Sequence, residues 1–237
     1  MRAAGLARRG EILGIDAAAM RVALGRLARE GMVRSPERGA YALGEAARAV
    51  NTVARGWREA EARVRDWRGR WLVIAVDHLG RTDRRRLRLR ERALRLGGFA
   101  RSASGAWVRA DNLAETLPET AERLHALGLD AGATILGDAA ALAGEDAAFR
   151  ALWDRAGIEA GYRHWIAELA ASEARVAAMP VEDAARETLL LGQAVIRAIN
   201  LDPLLPGALV DVGRRAAMGS AMRHYDVVGK GFWGRID

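Results

Sequence analysis

The chain contains no cysteine, only one lysine (Lys230), five prolines and no long apolar run in its 237 residues. Without cysteine, disulfides, thiolate metal sites and cysteine nucleophiles are excluded, and a reducing interior is compatible with the composition. No stretch approaches the ~20 apolar residues of a membrane span, and no charged-then-apolar leader opens the sequence. A cytoplasmic protein that does not enter membranes is therefore expected. Several catalytic signatures are missing as well. There is no GxxxxGK[ST] or GxGxxG phosphate loop, and His78, His125, His164 and His224 lack metal-ligand spacing. Ser102, Ser104, Ser172 and Ser220 sit in no nucleophile elbow. No enzyme, cofactor or metal is expected.

What is present is charge of one kind. The net charge of +7 favours anionic partners. It is carried almost wholly by arginine, and the accompanying wealth of alanine and glycine also fits a bias of genome composition. Length and a 51% apolar fraction suit one to three globular domains.

The most informative stretch is Ile15 to Leu43. Asp16 is placed to cap a helix that runs at 3.6-residue period to Glu30, and Gly31 supplies a left-handed stop. Met20, Ala23, Leu24 and Leu27 form its apolar stripe. Opposite lie Ala18, Arg21, Val22, Gly25, Arg26 and Arg29, small residues flanked by arginines. Such a face can approach a major groove, where arginine bridges guanine O6 and N7 and a small apolar side chain meets a thymine methyl. Val33-Arg34 and Ala40 to Leu43 read as a hairpin around Pro36 to Gly39, carrying Arg34 and Arg38 toward phosphates. Together these form the second half of a winged helix-turn-helix. Met1 to Leu13 holds the first helix, with Leu6 and Ile12 or Leu13 inward and Arg8 and Arg9 outward. A winged domain usually has one more helix before this one, so either the start is trimmed or that support comes from elsewhere.

Beyond the hairpin, Glu45 to Asp66 reads as one long helix with a seam of Ala46, Val50, Val53, Trp57, Ala60 and Val64. Such a seam suits a linker between domains or a dimer contact. Trp71 to Val76 is a short, buried strand. A helix capped by Thr82 or Asp83 runs to Leu96, and strands follow at Phe99 to Arg101 and Ala106 to Arg109. A helix from about Asn112 or Pro118 to Leu127 and a strand at Ala133 to Leu136 complete a βαββαβ order, the ferredoxin-like arrangement. Thirteen arginines face four acids between Arg63 and Arg101. Arg84, Arg88, Arg92 and Arg95 share one arc, which suits phosphates or a ligand as well as plain solvent. Arg86 and Arg90 interrupt the apolar side and need partners. From Glu145 onward the pattern is helical, with a stop at Asn200 to Pro206, a last helix over about Gly207 to Tyr225 and an irregular tail from Val228 to Trp233.

The segments RVALGRLAREGMV, WLVIAVD, GAWVRADNL and ETLLLGQAVIRAINLDPLLP occur in that order. In this succession the chain resembles the phenylacetate-degradation repressor family, the PaaX-like transcription regulators, over nearly its whole length. The resemblance implies an α+β chain: a winged helix-turn-helix (1–44), a linker helix (45–68), a ferredoxin-like, Cas2-like middle domain (69–140) and an all-α C-terminal domain (141–237). It further implies a homodimeric repressor on palindromic double-stranded DNA operators, released by an acyl-CoA effector such as phenylacetyl-CoA in phenylacetate catabolism. An effector pocket is expected where the middle and C-terminal modules meet, with Trp107, Arg109, Tyr162, Trp165, Arg197 and Tyr225 as aromatic walls and phosphate clamp. Two other classes compete. Asp77, at the end of the first middle strand, matches the position of a metal-dependent nuclease aspartate in the Cas2-like fold. The chain could also be a protein-interaction module without DNA binding.

Overall fold

The computed structural model describes residues 2–80 and 82–236, and the chain is of the α+β class, helix-rich with two small antiparallel sheets. It opens with α1 (Ala3–Ile12), α2 (Ala17–Arg29) and the hairpin of β1 (Val33–Arg34) and β2 (Ala42–Leu43), in which Val33 pairs with Leu43. Gly31 has a left-handed φ of 69°, the conformation that the stop of α2 requires.

The single helix expected from Glu45 to Asp66 is not what forms. After a 3₁₀ turn at Glu45–Ala47 comes α3 (Arg48–Arg55), and the chain then tightens into 3₁₀ turns at Gly56–Glu59 and Glu61–Arg63. Gly56 weakens the helix there, and tertiary contacts pull the next residues elsewhere. Trp57 and Ala60 are buried in the helical core, while Val64 bridges to Leu113 and Ala114 donates to the Arg63 carbonyl. Of the expected seam, Ala46 is exposed and Val64 half-buried. The Val50 and Val53 side chains lie outside the described residues.

The second sheet is built from β3 (Trp71–Ala75), β4 (Ala100–Arg101), β5 (Trp107–Ala110) and β6 (Thr134–Ala139), in the order β4-β5-β3-β6. α4 (Arg84–Leu96) joins β3 to β4, α5 (Leu117–Leu127) joins β5 to β6, and every pairing is antiparallel. Alternate residues of β3 serve two cores. Leu72 and Ile74 face Ala93, Leu94, Leu124 and Leu127 of the two helices. Trp71 faces the other way, with Val108, Ala110, Leu205 and Val210. Covering both faces explains why this strand is continuously apolar. Around Trp71 the rings of Trp67, Phe149 and Trp153 gather at 5.1, 5.4 and 6.3 Å, and its indole N–H donates to Asp146 at 3.0 Å.

The remaining chain is α6 (Ala143–Arg150), α7 (Arg155–Val176), α8 (Val181–Leu201) and α9 (Val212–Trp233). The last three pack around Tyr162, Leu169, Val195, Ile199, Met218, Met222 and Tyr225. α9 begins later than expected, at the Asp211 cap, and the tail from Val228 to Trp233 is helical rather than irregular. Gly229 and Gly231 suggest a break, but Gly229 sits against Thr188 of α8, and Asp226 takes bonds from Arg58 at 2.6 Å and Lys230 at 2.7 Å. Packing of this kind outweighs the glycine penalty of about 1 kcal/mol each.

Sheet and helices are locked together by Arg109 on β5. Its guanidinium, 2% exposed, donates to the carbonyls of Gly97 at 2.6 Å, Ala110 at 3.1 Å and Pro203 at 3.4 Å, and to Asn112 Oδ1 at 3.1 Å. Asn112 in turn donates to the Leu204 carbonyl at 2.7 Å. Burial, and next the nearby Arg123, lowers the Arg109 pKa to about 9, so the group stays charged at neutral pH. Arg109→Met orphans these acceptors and is expected to lower unfolding free energy by about 2 kcal/mol or more. Lysine does not rescue it, because an ammonium cannot reproduce the planar fork. Arg101→Met, which removes an exposed pair with Asp77, costs under about 1 kcal/mol. Urea midpoints equal for all three variants would overturn the assignment.

Candidate nucleic-acid interface

Local chemistry explains why α2 forms where it does. Asp16 accepts backbone N–H bonds from Ala18 and Ala19, both at 2.8 Å. These bonds, that from Ala19 first, hold its carboxyl below the ordinary 3.8. At the other end Arg26 and Arg29 occupy the last turn, where cations favour the helix dipole. The inner face rests on α1: Met20, Ala23, Leu24 and Leu27 are half-buried. The Met20 methyl fills the space beside Gly10 of α1, so the two helices pack closely there.

The outer face is open. Ala18, Arg21, Val22, Gly25, Arg26 and Arg29 are all exposed, and Val22 retains 72% of its accessible surface. Nothing lies within 4 Å of where a Gly25 side chain would begin. Arg34 and Arg38 on the hairpin are exposed too. Among the described residues none of these five arginines forms a salt bridge; Arg29 merely touches the Gly25 carbonyl at 3.4 Å. All eight residues are thus exposed on α2 and its hairpin, and among the described residues none of the five arginines is matched to a carboxylate.

The hairpin is held at a defined angle. Ser35 donates to the carbonyls of Glu37 and Ala40 at 2.9 and 3.0 Å, and Ala3 N–H donates to Gly39 at 2.7 Å, tying the loop to the start of α1. At its base Gly44 N–H donates to Met32 at 2.8 Å, with the Gly31 carbonyl so near that a side chain at Gly44 would not fit. α1 is anchored behind. Arg8 pairs with Glu182 of α8, and Arg9, expected outward, lies 5.7 Å over the Trp233 ring of α9. The sequence gives no local signal for these contacts, because partners 174 residues apart share no periodicity.

The six residues expected to share an effector pocket do not converge. Trp107 is buried under α4 and α5, Arg109 is the clamp already described, and Tyr162 donates to Asp202 at 2.6 Å. Tyr225 is buried with its hydroxyl 2.6 Å from Ser172, and Trp165 packs at the edge of the bundle core. Only Arg197 borders a sizeable cavity, between α4 and α8. The other five are large amphipathic side chains recruited for packing and buried hydrogen bonds. Asp77 pairs with Arg101 at 3.1 Å, and among the described residues no three His, Asp or Glu side chains gather as a metal site. Among the same residues, no helix is long and apolar enough to cross a membrane.

No family model matches the chain, and no curated protein does. Among solved structures it is similar to the uncharacterized protein Rv0674 from Mycobacterium tuberculosis, with a TM-score of 0.55 and 24% identity, covering 97% of this chain and 91% of that one. At this identity the likeness speaks to the fold alone.

The lowered pKa of Asp16 gives a signed expectation. Its stabilisation is complete above the unfolded value of 3.8 and is lost as pH falls through the lower folded value. Amide protection at Ala18, Ala19 and Met20 should therefore decline in acid. Asp16→Asn, which caps without titrating, should flatten that decline, and Asp16→Ala should lose protection already at pH 7. Wild-type protection in Asp16→Ala would exclude the cap as the organiser of α2.

Proposed function

We propose that this chain is a DNA-binding transcriptional regulator of the repressor type, binding duplex DNA through α2 and the hairpin and responding to a small acyl-CoA-type effector. The observation that carries the reading is the division of α2: its apolar residues turn inward, while Ala18, Arg21, Val22, Gly25, Arg26 and Arg29 stay exposed without carboxylate partners. Elsewhere some exposed arginines are matched to an acid, as Arg150 to Asp146 and Arg155 to Glu159, and others, as Arg84, Arg85, Arg86 and Arg88 along α4, are not. The solvated guanidinium groups of the strip are free to meet an anion, and Gly25 leaves open space where a major groove would approach.

On this reading residues 1–44 form a winged helix-turn-helix head and 45–68 its linker. Residues 69–140 form a ferredoxin-like, Cas2-like middle domain. Counted in chain order, its strands run 4-1-3-2 across the sheet, the order of that arrangement. Residues 141–237 form the helical module that carries the head on α8 and α9. The protein acts as a homodimer, each head reading half of a palindromic site in successive major grooves. Arg21 and Arg26 face bases, while Arg29, Arg34 and Arg38 hold phosphates.

Selection from a random duplex pool followed by titration of the recovered site tests this. Arg21→Ala should cost about 1–3 kcal/mol and relax discrimination at one base position. Arg38→Ala should weaken all duplexes alike and flatten the dependence of affinity on salt. Indistinguishable effects of the two would contradict the division of roles, and no duplex binding by the full chain at low salt would end the DNA reading. Magnesium-dependent cleavage abolished by Asp77→Ala would favour the nuclease alternative instead.

A further inference from the structure

Between α3, α4 and α8 lies an open cavity of about 560 Å³. Its apolar surface comes from Leu96, Ile196 and Leu201, and its charge from Arg92, Arg95 and Arg197; no Asp or Glu lines it. Among the described residues Arg92 and Arg197 have no ion-pair partner, and Arg95 reaches only Glu91 on its own helix, at 3.7 Å. Arg92 and Arg95 belong to the arginine arc of α4. Three guanidinium groups around an apolar recess repel one another unless an anion joins them, and each offers a fork that fits carboxylate or phosphate oxygens.

We infer that this cavity binds an amphipathic organic anion: a carboxylate or phosphate head held by Arg92, Arg95 and Arg197, with an acyl or aryl body on Leu96, Ile196 and Leu201. The site also touches both routes to the head. Ala54 of α3 lines it, and α3 leads back through the turn at Glu45–Ala47 to the hairpin. α8, which supplies Arg197, carries at its other end the Glu182 that holds Arg8 of α1. Asn200 donates to the Ala54 carbonyl at 3.3 Å, a bond that closes α8 on α3 beside the recess. A ligand wedged between α3 and α8 therefore shifts the two supports of the head relative to each other. This second step, unlike the binding itself, rests on the DNA-binding reading.

Titration calorimetry on the full chain, without DNA, tests the site. Octanoate and octyl phosphate should each bind saturably, and octanol and inorganic phosphate at least tenfold more weakly. The tighter of the two anions identifies the head as an organic acid or a phosphate ester. Arg92→Gln with Arg197→Gln should weaken both anions at least tenfold, whereas Arg84→Gln with Arg88→Gln, on the same helix outside the cavity, should not. Equal binding of octanol, unchanged binding by the Arg92/Arg197 variant, or no saturable heat to millimolar concentration would each overturn the site. Hydrogen exchange in α1 and α3 should change when the tighter anion binds, and duplex affinity should fall several-fold. Anion binding without any change in α1 or α3 would overturn the coupling. Anion binding and altered exchange in a protein that binds no duplex would refute the DNA reading and leave the site standing.

Discussion

The hold of Arg109 and Asn112 on the carbonyls of Gly97, Pro203 and Leu204 is the constraint on which the rest of the molecule depends. It brings together the end of α4, the end of β5 and the turn between α8 and α9. Gly98 takes a positive φ of 78° with the Pro203 backbone against it, so the approach leaves no room for a side chain. Around it, the Leu204 N–H bonds to Asp202 at 2.7 Å, Tyr162 bonds to the same carboxylate, and Arg215 reaches from α9 to the Leu205 carbonyl and to Glu61. Buried polar groups of this sort are costly unless every donor and acceptor is matched, and once matched they allow one arrangement. The sheet, the bundle and the cavity between α4 and α8 inherit their relative positions from it.

The small N-terminal unit has a different economy. α2 has no fully buried residue, so its own core is thin, and α1 must lean on something larger. The ends of α8 and α9 supply that support through Glu182, Trp233 and Arg186, the last near Gly14. Support from behind leaves the outer face of α2 uncommitted. It also makes the head sensitive to whatever moves α8 or α3, because few apolar contacts of its own resist the movement.

Much of this was legible in the sequence wherever a local rule decides the outcome. The Asp16 cap, a cap at Thr82 or Asp83 (the structure uses Asp83), the left-handed Gly31, and the sidedness of α2 follow from periodicity and capping chemistry. The strands were legible too, though β6 extends to Ala139, three residues beyond the apolar pattern. The failures share a cause. Trp57 reads as part of a helical seam, yet the chain tightens after Gly56 and buries Trp57 in a core built mostly from residues of α7, α8 and α9. Gly229 and Gly231 read as a frayed tail, yet the helix runs on through both, with Gly229 packed on Thr188 of α8. The effector candidates were chosen as aromatic and cationic residues near a module junction, but side chains that reach a junction are also those that hold it. Composition cannot tell a clamp such as Arg109 from a free cation such as Arg197; only their burial and partners do.

That distinction gives the arginine excess its meaning. If genome composition alone set the count, arginines would fall where they are tolerated, mostly on the surface beside acids. Some do, and those pairs contribute little. Arg90, Arg109 and Arg215, at 2–3% exposure, are structural, each satisfied by carbonyls or a carboxylate. A third group is exposed without a carboxylate partner among the described residues: Arg21, Arg26, Arg34 and Arg38 on the head, Arg92 and Arg197 around the recess, and Arg84, Arg85, Arg86 and Arg88 along α4. Glu30 and Glu37 form no ion pair with the head arginines among the described residues, and Glu91 reaches only Arg95 at the recess. On the proposed reading, the head and the recess are two places left open for anions, a polymeric one on the head and a small one at the recess. The physical link between them is α8, a single helix with one end at each.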